Sequence, residues 1–166
     1  TEDDVLTYLP DINPNYNLYE QIAHKADYIR FKLLYEYGGI WLDSDTIIFR
    51  SLNDVKDKIN EYGFVCNGYK DSTDKIFTLI GFLASEAKNK ICYAILHEIE
   101  NYINDKLIKG VQHDWDMIGF LLSDRLNHSA ETFFVYPITS FSPFEIFNKN
   151  NHYLEYSKKN AYNFLL

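Results

Sequence analysis

The sequence predicts one α/β domain, and three neighbouring features lead to that prediction. Apolar residues recur at helical spacing over residues 21–37. Gly38 and Gly39 then end the helix, because glycine alone adopts the left-handed cap without a steric penalty. The short apolar run 40–42, Ile-Trp-Leu, has no helical periodicity and is typical of a buried strand. A helix, a tight turn and a buried strand in this order indicate a sheet with helices packed on it.

The remaining elements alternate in the same way. The helix over residues 19–37 carries an apolar stripe, which we expect to lie along the sheet, and we expect strand 40–42 to be central in a mixed sheet. The pattern predicts further helices over residues 1–10, 51–59, 87–103 and 116–126. It predicts further strands over residues 46–49, 63–69, 76–84, 133–136 and 161–166.

Composition narrows the classes of function. The 166 residues carry a net charge of −8, whereas binding of nucleic acid requires a concentrated basic surface. No stretch has the length and hydropathy of a transmembrane helix. Cys66 and Cys92 lack the spacing of metal ligands, and we expect two free buried thiols.

Two carboxylates follow the predicted strand directly. Side chains alternate along an extended chain, so Asp43 and Asp45 can point the same way from its carboxyl end. Two acids on one side repel each other unless a cation lies beside them, and oxygen ligands favour Mg²⁺ or Mn²⁺. A polar strand end followed by a turn is the simpler interpretation of the same pattern.

A charged pair precedes the strand on the helix. Asp27 and Arg30 are spaced i and i+3, so they share one helix face. The simpler interpretation is an exposed ion pair, which contributes little to stability. The combined order, D-x-x-R followed by L-Y-x-x-G-G-I-W-L-D-x-D and a second strand, is far more specific than either motif alone.

The segment from Ala26 to Asp45 closely resembles the DXD-motif glycosyltransferase family. That family includes enzymes of capsular polysaccharide synthesis, initiating mannosyltransferases and α-1,4-galactosyltransferases. The resemblance implies a GT-A-like fold, a mixed sheet flanked by helices on both faces. It also implies transfer of a sugar from a UDP- or GDP-sugar to a glycan or other acceptor, with retention of configuration and with Mn²⁺ or Mg²⁺.

The resemblance also implies roles for individual residues. Asp45 is expected to be the direct metal ligand, and Asp43 to lie beside it, towards the ribose and the donor sugar. These two carboxylates are the candidate catalytic and metal-binding residues. Asp27 and Arg30 are expected to contact the donor, with Asp27 accepting bonds from hydroxyl groups. No catalytic base is implied.

This sequence departs from the family pattern in three places, which limits how far the resemblance extends. The first nucleotide-binding strand and helix of the family precede the D-x-x-R helix, and we expect this chain, residues 1–166, to be one domain that lacks them. The usual Gly-Pro before the late helix corresponds to Asp114-Trp115, which makes His113, Asp114 and Trp115 candidates for a donor- or acceptor-binding loop. The late histidine of the family falls at Leu165 if Tyr162 is its matching tyrosine.

Two other classes of function fit parts of the pattern. A phosphotransferase of the haloacid-dehalogenase type also places D-x-D after an apolar strand, but its motif requires Thr or Val where Ile47 stands. A non-catalytic protein that binds nucleotide sugars or glycans is the second alternative. The compartment stays open between the cytoplasm, a membrane surface and the Golgi lumen.

Overall fold

The computed structural model describes residues 2–44, 46–48, 50–140 and 163–165. Five helices and six strands are present in these ranges. The helices are α1 (Glu2–Tyr8), α2 (Ile22–Tyr37), α3 (Asn53–Tyr62), α4 (Lys90–Asp105) and α5 (Met117–Asn127). The strands are β1 (Gly39–Leu42), β2 (Thr46–Ile48), β3 (Phe64–Lys70), β4 (Ile76–Ser85), β5 (Phe134–Pro137) and β6 (Asn163–Leu165).

Gly38 makes the connection between α2 and β1 possible. Its backbone has φ +66° and ψ −162°, a region that is open essentially to glycine alone. Its N–H donates to the carbonyl oxygen of Leu34 at 2.9 Å and so satisfies one carbonyl of the last helical turn. The chain therefore leaves the helix and enters the strand within one residue, as the two glycines predict.

The main sheet has the strand order β1-β4-β3-β5. β4 is antiparallel to β1 and to β3, whereas β3 and β5 are parallel. The sheet is therefore mixed, as predicted, and β1, β3 and β5 run in the same direction. A separate antiparallel pair joins β2 to β6.

The predicted central position of the 40–42 strand is wrong for the part of the chain that the structure describes. β1 lies at one edge of the main sheet and pairs there with β4, so that Trp41 faces Leu83 across the ladder. Gly39 is exposed and Ile40, Trp41 and Leu42 are only half-buried, as expected for an edge strand. The apolar pattern therefore does not report the position of a strand within the sheet.

Helices cover both faces of the sheet, which confirms the predicted α/β architecture and agrees with a GT-A-like arrangement. Successive residues of β3 alternate between two cores. Phe64 and Cys66 pack with residues of α2, α4 and α5, whereas Val65 packs with Val55 of α3 on the opposite face. Cys66 and Cys92 are free and buried, as predicted.

The buried face of α2 differs from the predicted apolar stripe. The predicted stripe consists of Ile22, Ala26, Ile29, Leu33 and Tyr37, but Ile22 is 82% exposed and Tyr37 62%. The buried residues are instead His24, Asp27, Tyr28, Arg30, Phe31 and Leu34. Apolar spacing cannot predict this buried face, because half of the residues on the face are polar. Whether a polar residue is buried depends on the partners that it finds in the folded protein.

None of the described helices has the length and hydropathy needed to cross a membrane.

The turn at Gly38 provides a test of this account of the fold. A Cβ at Gly38 would lie 2.7 Å from the backbone nitrogen of Ala87 and 2.9 Å from the carbonyl oxygen of Ser85. Gly38→Ala should therefore lower the free energy of unfolding by about 2–4 kcal/mol, because backbone strain and overpacking add. Gly110→Ala is the control, since Gly110 has φ +79° but no atom within 4 Å of an added Cβ. Chemical denaturation should give a clearly smaller loss for the control, and equal losses would contradict the steric argument.

Candidate functional site

Three charged side chains meet where β1 ends. Asp27 and Arg30 are one turn apart on α2, and each is 5% exposed. Nη2 of Arg30 lies 3.0 Å from Oδ1 of Asp27 and 3.2 Å from Oδ1 of Asp43. Nη1 of Arg30 donates to the carbonyl oxygen of Ile80 on β4. One guanidinium group therefore joins α2, the end of β1 and the neighbouring strand.

The interpretation of Asp27 and Arg30 as an exposed ion pair is wrong in one respect. The pair exists at the predicted i,i+3 spacing, but both side chains are buried. Removal of one partner of a buried pair leaves an uncompensated charge and costs about 3–5 kcal/mol. An exposed pair contributes about 1 kcal/mol at most. The pair is therefore part of the internal structure of the domain.

Asp43 is fixed at one oxygen atom and accessible at the other. Nε1 of Trp41 donates to Oδ1 of Asp43 at 3.0 Å, and this same oxygen atom faces Arg30. The backbone N–H of Asp43 donates to the carbonyl oxygen of Gly81 at 3.0 Å. The described residues supply no donor to Oδ2, and the side chain is 36% exposed.

Gly81 keeps space free beside that second oxygen atom. A Cβ at Gly81 would lie 3.0 Å from Oδ2 of Asp43, which is closer than most real Cβ contacts. Oδ2 therefore faces a small opening that a larger residue at position 81 would fill. A carboxylate oxygen in such an opening suits a hard divalent cation or a hydroxyl group of a ligand.

Burial changes the protonation of Asp27. Desolvation by burial, opposed by the charge of Arg30 and reinforced by that of Asp43, raises the pKa of this carboxyl group from 3.8 to about 6. Around pH 6 the group is therefore half protonated. It can therefore accept or donate a hydrogen bond with little change in free energy.

A cluster of aromatic rings lies against the first turn of α2. The ring centroids of His24 and His113 are 3.9 Å apart, and Tyr19 packs edge-on against both histidines. The pKa of His24 is lowered by burial and then by the nearby His113, and burial also lowers the pKa of His113. Burial raises the pKa of Tyr19, and the charge of Asp27 contributes to that increase. Near neutral pH the cluster is therefore uncharged, and the Tyr19 hydroxyl lies within electrostatic reach of Asp27.

The structure brings some of the predicted site residues together. Asp27, Arg30 and Asp43 form one ion-paired group. His113 contacts this region through His24, and Trp115 lies 5.9 Å from His24 between ring centroids. The carbonyl oxygen of Asp114 accepts hydrogen bonds from Nδ1 of His113 at 2.8 Å and from the backbone N–H of Met117 at 3.2 Å.

Other predicted residues cannot be placed. Asp45 and Tyr162 lie outside the described residues, and only the backbone of Leu165 is described, in β6. Within the described ranges, no group of three or more His, Cys, Asp or Glu side chains is arranged to hold a metal ion. The metal assignment of Asp43 and Asp45 therefore stays a prediction.

Sequence reasoning missed four residues of this region. Trp41 stands two positions before Asp43 in an extended chain, so period-2 alternation places both on one face and could have indicated the contact. His24 precedes Asp27 by one helical turn, which is an equally readable signal. Gly81 and Tyr19 gave no local signal, because their roles depend on strand pairing and on the packing of a loop.

Part of the chain is similar in sequence to known proteins. Residues 3–62 match the family model described as a glycosyltransferase sugar-binding region containing a DXD motif. The chain is 35% identical over 81 residues to glycosyltransferase afumC of Aspergillus fumigatus (strain CBS 144.89 / FGSC A1163 / CEA10). The matched segment covers 46% of this chain and 20% of that protein. The chain is 53% identical over 35 residues to O-glycosyltransferase PaGT of Phomopsis amygdali, which covers 21% of this chain and 9% of that protein. No solved structure gives a significant match.

These matches confirm the resemblance predicted from the sequence. Residues 3–62 resemble the DXD-containing sugar-binding region of glycosyltransferases, and they include the helix, the glycine turn and the strand that build the Asp27–Arg30–Asp43 group. The chain spans about a fifth or less of the length of the two curated relatives.

The pKa of Asp27 leads to a testable dependence of stability on pH. A pKa raised from 3.8 in the unfolded chain to about 6 in the folded protein means that the folded state binds more protons between these pH values. The contribution of Asp27 to the free energy of unfolding should therefore fall as the pH rises from about 4 to about 6, by roughly 3 kcal/mol in total.

Chemical denaturation of wild type and Asp27→Asn in metal-free buffer at pH 4 and pH 7 would measure this effect. The stability of wild type relative to the variant should decrease across that interval. A difference that is constant or that increases with pH would contradict the raised pKa.

Proposed function

We propose that this chain carries the donor-binding region of a glycosyltransferase that moves a sugar from a nucleotide diphosphate sugar to an acceptor. The observation that carries the proposal is the ion-paired group Asp27–Arg30–Asp43 at the end of β1, within the residues that match the glycosyltransferase family model. Retention of configuration and the use of Mn²⁺ or Mg²⁺ belong to the proposal through the family resemblance.

Arg30 is the positioning residue in this proposal. Its guanidinium contacts Asp27, Asp43 and the carbonyl oxygen of Ile80, so its planar set of donors is largely occupied within the protein. The direct contact of Arg30 with a phosphate or sugar hydroxyl of the donor, expected from the sequence, stays a prediction beside this positioning role. Arg30 fixes the two carboxylates, and these contact the donor.

Asp43 is the group that faces the ligand. Its Oδ1 is held by Trp41 and Arg30, and its Oδ2 faces the space that Gly81 leaves open. This arrangement fits a divalent cation shared with Asp45, or a hydroxyl group of the donor. When bound, the metal would supply Lewis-acid stabilisation of the negative charge on the departing diphosphate. Asp27, with a pKa of about 6, can exchange hydrogen bonds with a sugar hydroxyl.

The acceptor is proposed to react through oxygen. The relative PaGT is named an O-glycosyltransferase, and glycans, the acceptors that the family resemblance implies, also offer hydroxyl groups. The loop that contains His113, Asp114 and Trp115 stays a candidate for contacts with donor or acceptor. Its packing against His24, three residues before Asp27, supports a position near the reacting groups.

The two alternative functions differ from this proposal in their products. A phosphotransferase would use the first aspartate as a nucleophile and would release inorganic phosphate. A non-catalytic protein would bind donor and release nothing. Both curated relatives given above bear glycosyltransferase names, which favours sugar transfer over phosphoryl transfer.

The decisive experiment incubates the protein with a panel of UDP- and GDP-sugars in Mn²⁺ and in EDTA. Sugar transfer to water should release nucleotide diphosphate slowly and only with the metal. Asp45→Ala and Asp43→Asn should each reduce this release at least about tenfold, because both remove a charge that holds the metal and the donor. Asp57→Ala, which removes an exposed carboxylate of α3, is the matched control and should leave the rate unchanged.

Other products would point to the alternatives. Release of inorganic phosphate would favour the phosphotransferase, and metal-dependent binding without turnover would favour the non-catalytic protein. Normal turnover by Asp45→Ala in Mn²⁺ would exclude the proposed metal role.

A further inference from the structure

The interior beside Asp27 contains several polar atoms that have no partner. Seven buried side-chain nitrogen or oxygen atoms lack a hydrogen bond in the described part of the chain, and five of them belong to Tyr19, His24, Arg30 and His113. Buried polar groups are almost always hydrogen-bonded, because desolvation without a partner is costly. So many unpartnered atoms near one carboxylate indicate groups that are completed by something outside the protein.

These residues are firmly held within the protein. Tyr19 and His24 are each 2% exposed. The Tyr19 hydroxyl oxygen and both ring nitrogens of His24 have no partner. His24 and Asp27 are one turn apart on α2, and Tyr19 packs against the His24 ring with 5.8 Å between ring centroids, which places the three residues side by side.

His113 adds an acceptor with a defined orientation. Its Nδ1 faces the carbonyl oxygen of Asp114 at 2.8 Å, so the proton of the neutral ring lies on Nδ1 and Nε2 keeps its lone pair. Nε2 is buried and has no partner. His113 also lines an open groove of about 550 Å³ between α4 and α5, so its ring lies between this groove and the unpartnered atoms.

The hydrogen-bond donors and acceptors of Tyr19, His24 and His113 indicate which class of ligand they can bind. Tyr19 offers a hydroxyl group that can donate or accept, neutral His24 offers one donor and one acceptor, and His113 offers an acceptor. Such a mixed, uncharged set does not suit phosphate, which requires donors and positive charge. It suits hydroxyl groups, each of which donates one hydrogen bond and accepts others.

We propose that Tyr19, His24 and His113 form a hydroxyl-binding subsite next to Asp27, which receives the hydroxyl groups of a sugar ring. This inference rests on the proposed function and adds the residues that would recognise the sugar part of the donor. Two rings of a nucleotide sugar carry hydroxyl groups, the ribose and the transferred sugar, and binding measurements can distinguish them.

The test uses Tyr19→Phe, which removes only the hydroxyl group. Because that group has no partner in the free protein, the melting temperature should stay the same or rise. Calorimetric titration in Mn²⁺ should show affinity for a UDP- or GDP-sugar that is about 3- to 10-fold weaker than in wild type, which corresponds to one lost hydrogen bond.

Tyr28→Phe is the matched control, a second buried tyrosine close to Tyr19 in the sequence. Tyr28 is also buried, but its hydroxyl group donates to Glu100 at 2.8 Å and accepts from the N–H of Asn13 at 3.3 Å. This variant should lose stability and keep its affinity for the nucleotide sugar. The two tyrosines should therefore show opposite patterns, which a purely structural role of Tyr19 would not produce.

Titration with the nucleotide diphosphate alone completes the test. If Tyr19→Phe weakens only the nucleotide sugar, the subsite binds the transferred sugar; if it weakens both ligands equally, the subsite binds the ribose. Unchanged affinity for both ligands would overturn the inference while the proposed function stands. Failure of wild type to bind either ligand would instead overturn the proposed function, and the inference with it.

Discussion

The buried guanidinium of Arg30 is the interaction on which the site depends. It contacts a carboxylate of its own helix, a carboxylate at the end of β1 and a backbone carbonyl of β4. A positive charge in the interior is stable only when such partners surround it. The same contacts fix the distance between helix α2 and the end of the strand. The geometry of Asp43 is therefore set by the packing of the domain and not by the motif alone.

The two aspartates, Asp43 and Asp27, differ in their contacts and in their burial. Asp43 gives one oxygen atom to Arg30 and Trp41 and presents the other at the opening beside Gly81. Asp27 lies deeper, and its raised pKa reflects the cost of keeping a second carboxylate charged in the same interior. The neutral rings of Tyr19, His24 and His113 extend the site from charged to uncharged groups. Such a gradient suits a ligand that is charged at its phosphates and neutral at its sugar.

Much of this arrangement follows from local sequence. Three features are each determined by a few neighbouring residues: the glycine turn, the strand before Asp43 and the i,i+3 pair. The structure contains all three. The buried face of α2 could not be read in the same way, because His24, Asp27 and Arg30 are buried through partners that lie far away in the sequence. The edge position of β1 and the opening at Gly81 likewise depend on pairing with β4, for which residues 39–43 carry no signal. Local periodicity therefore predicts elements, whereas partner choice decides burial and position.

The most direct test of the central claim is a double-mutant cycle between Arg30 and Asp43 for binding of a nucleotide sugar in Mn²⁺. Arg30→Lys keeps the charge but loses the planar set of donors, and Asp43→Asn keeps the shape but loses the charge. If Arg30 acts by positioning Asp43, either change alone should weaken binding, and the double variant should bind about as weakly as Asp43→Asn alone. The coupling should then be at least about 1 kcal/mol. Losses that add independently, or an Arg30→Lys variant with wild-type affinity, would contradict the account.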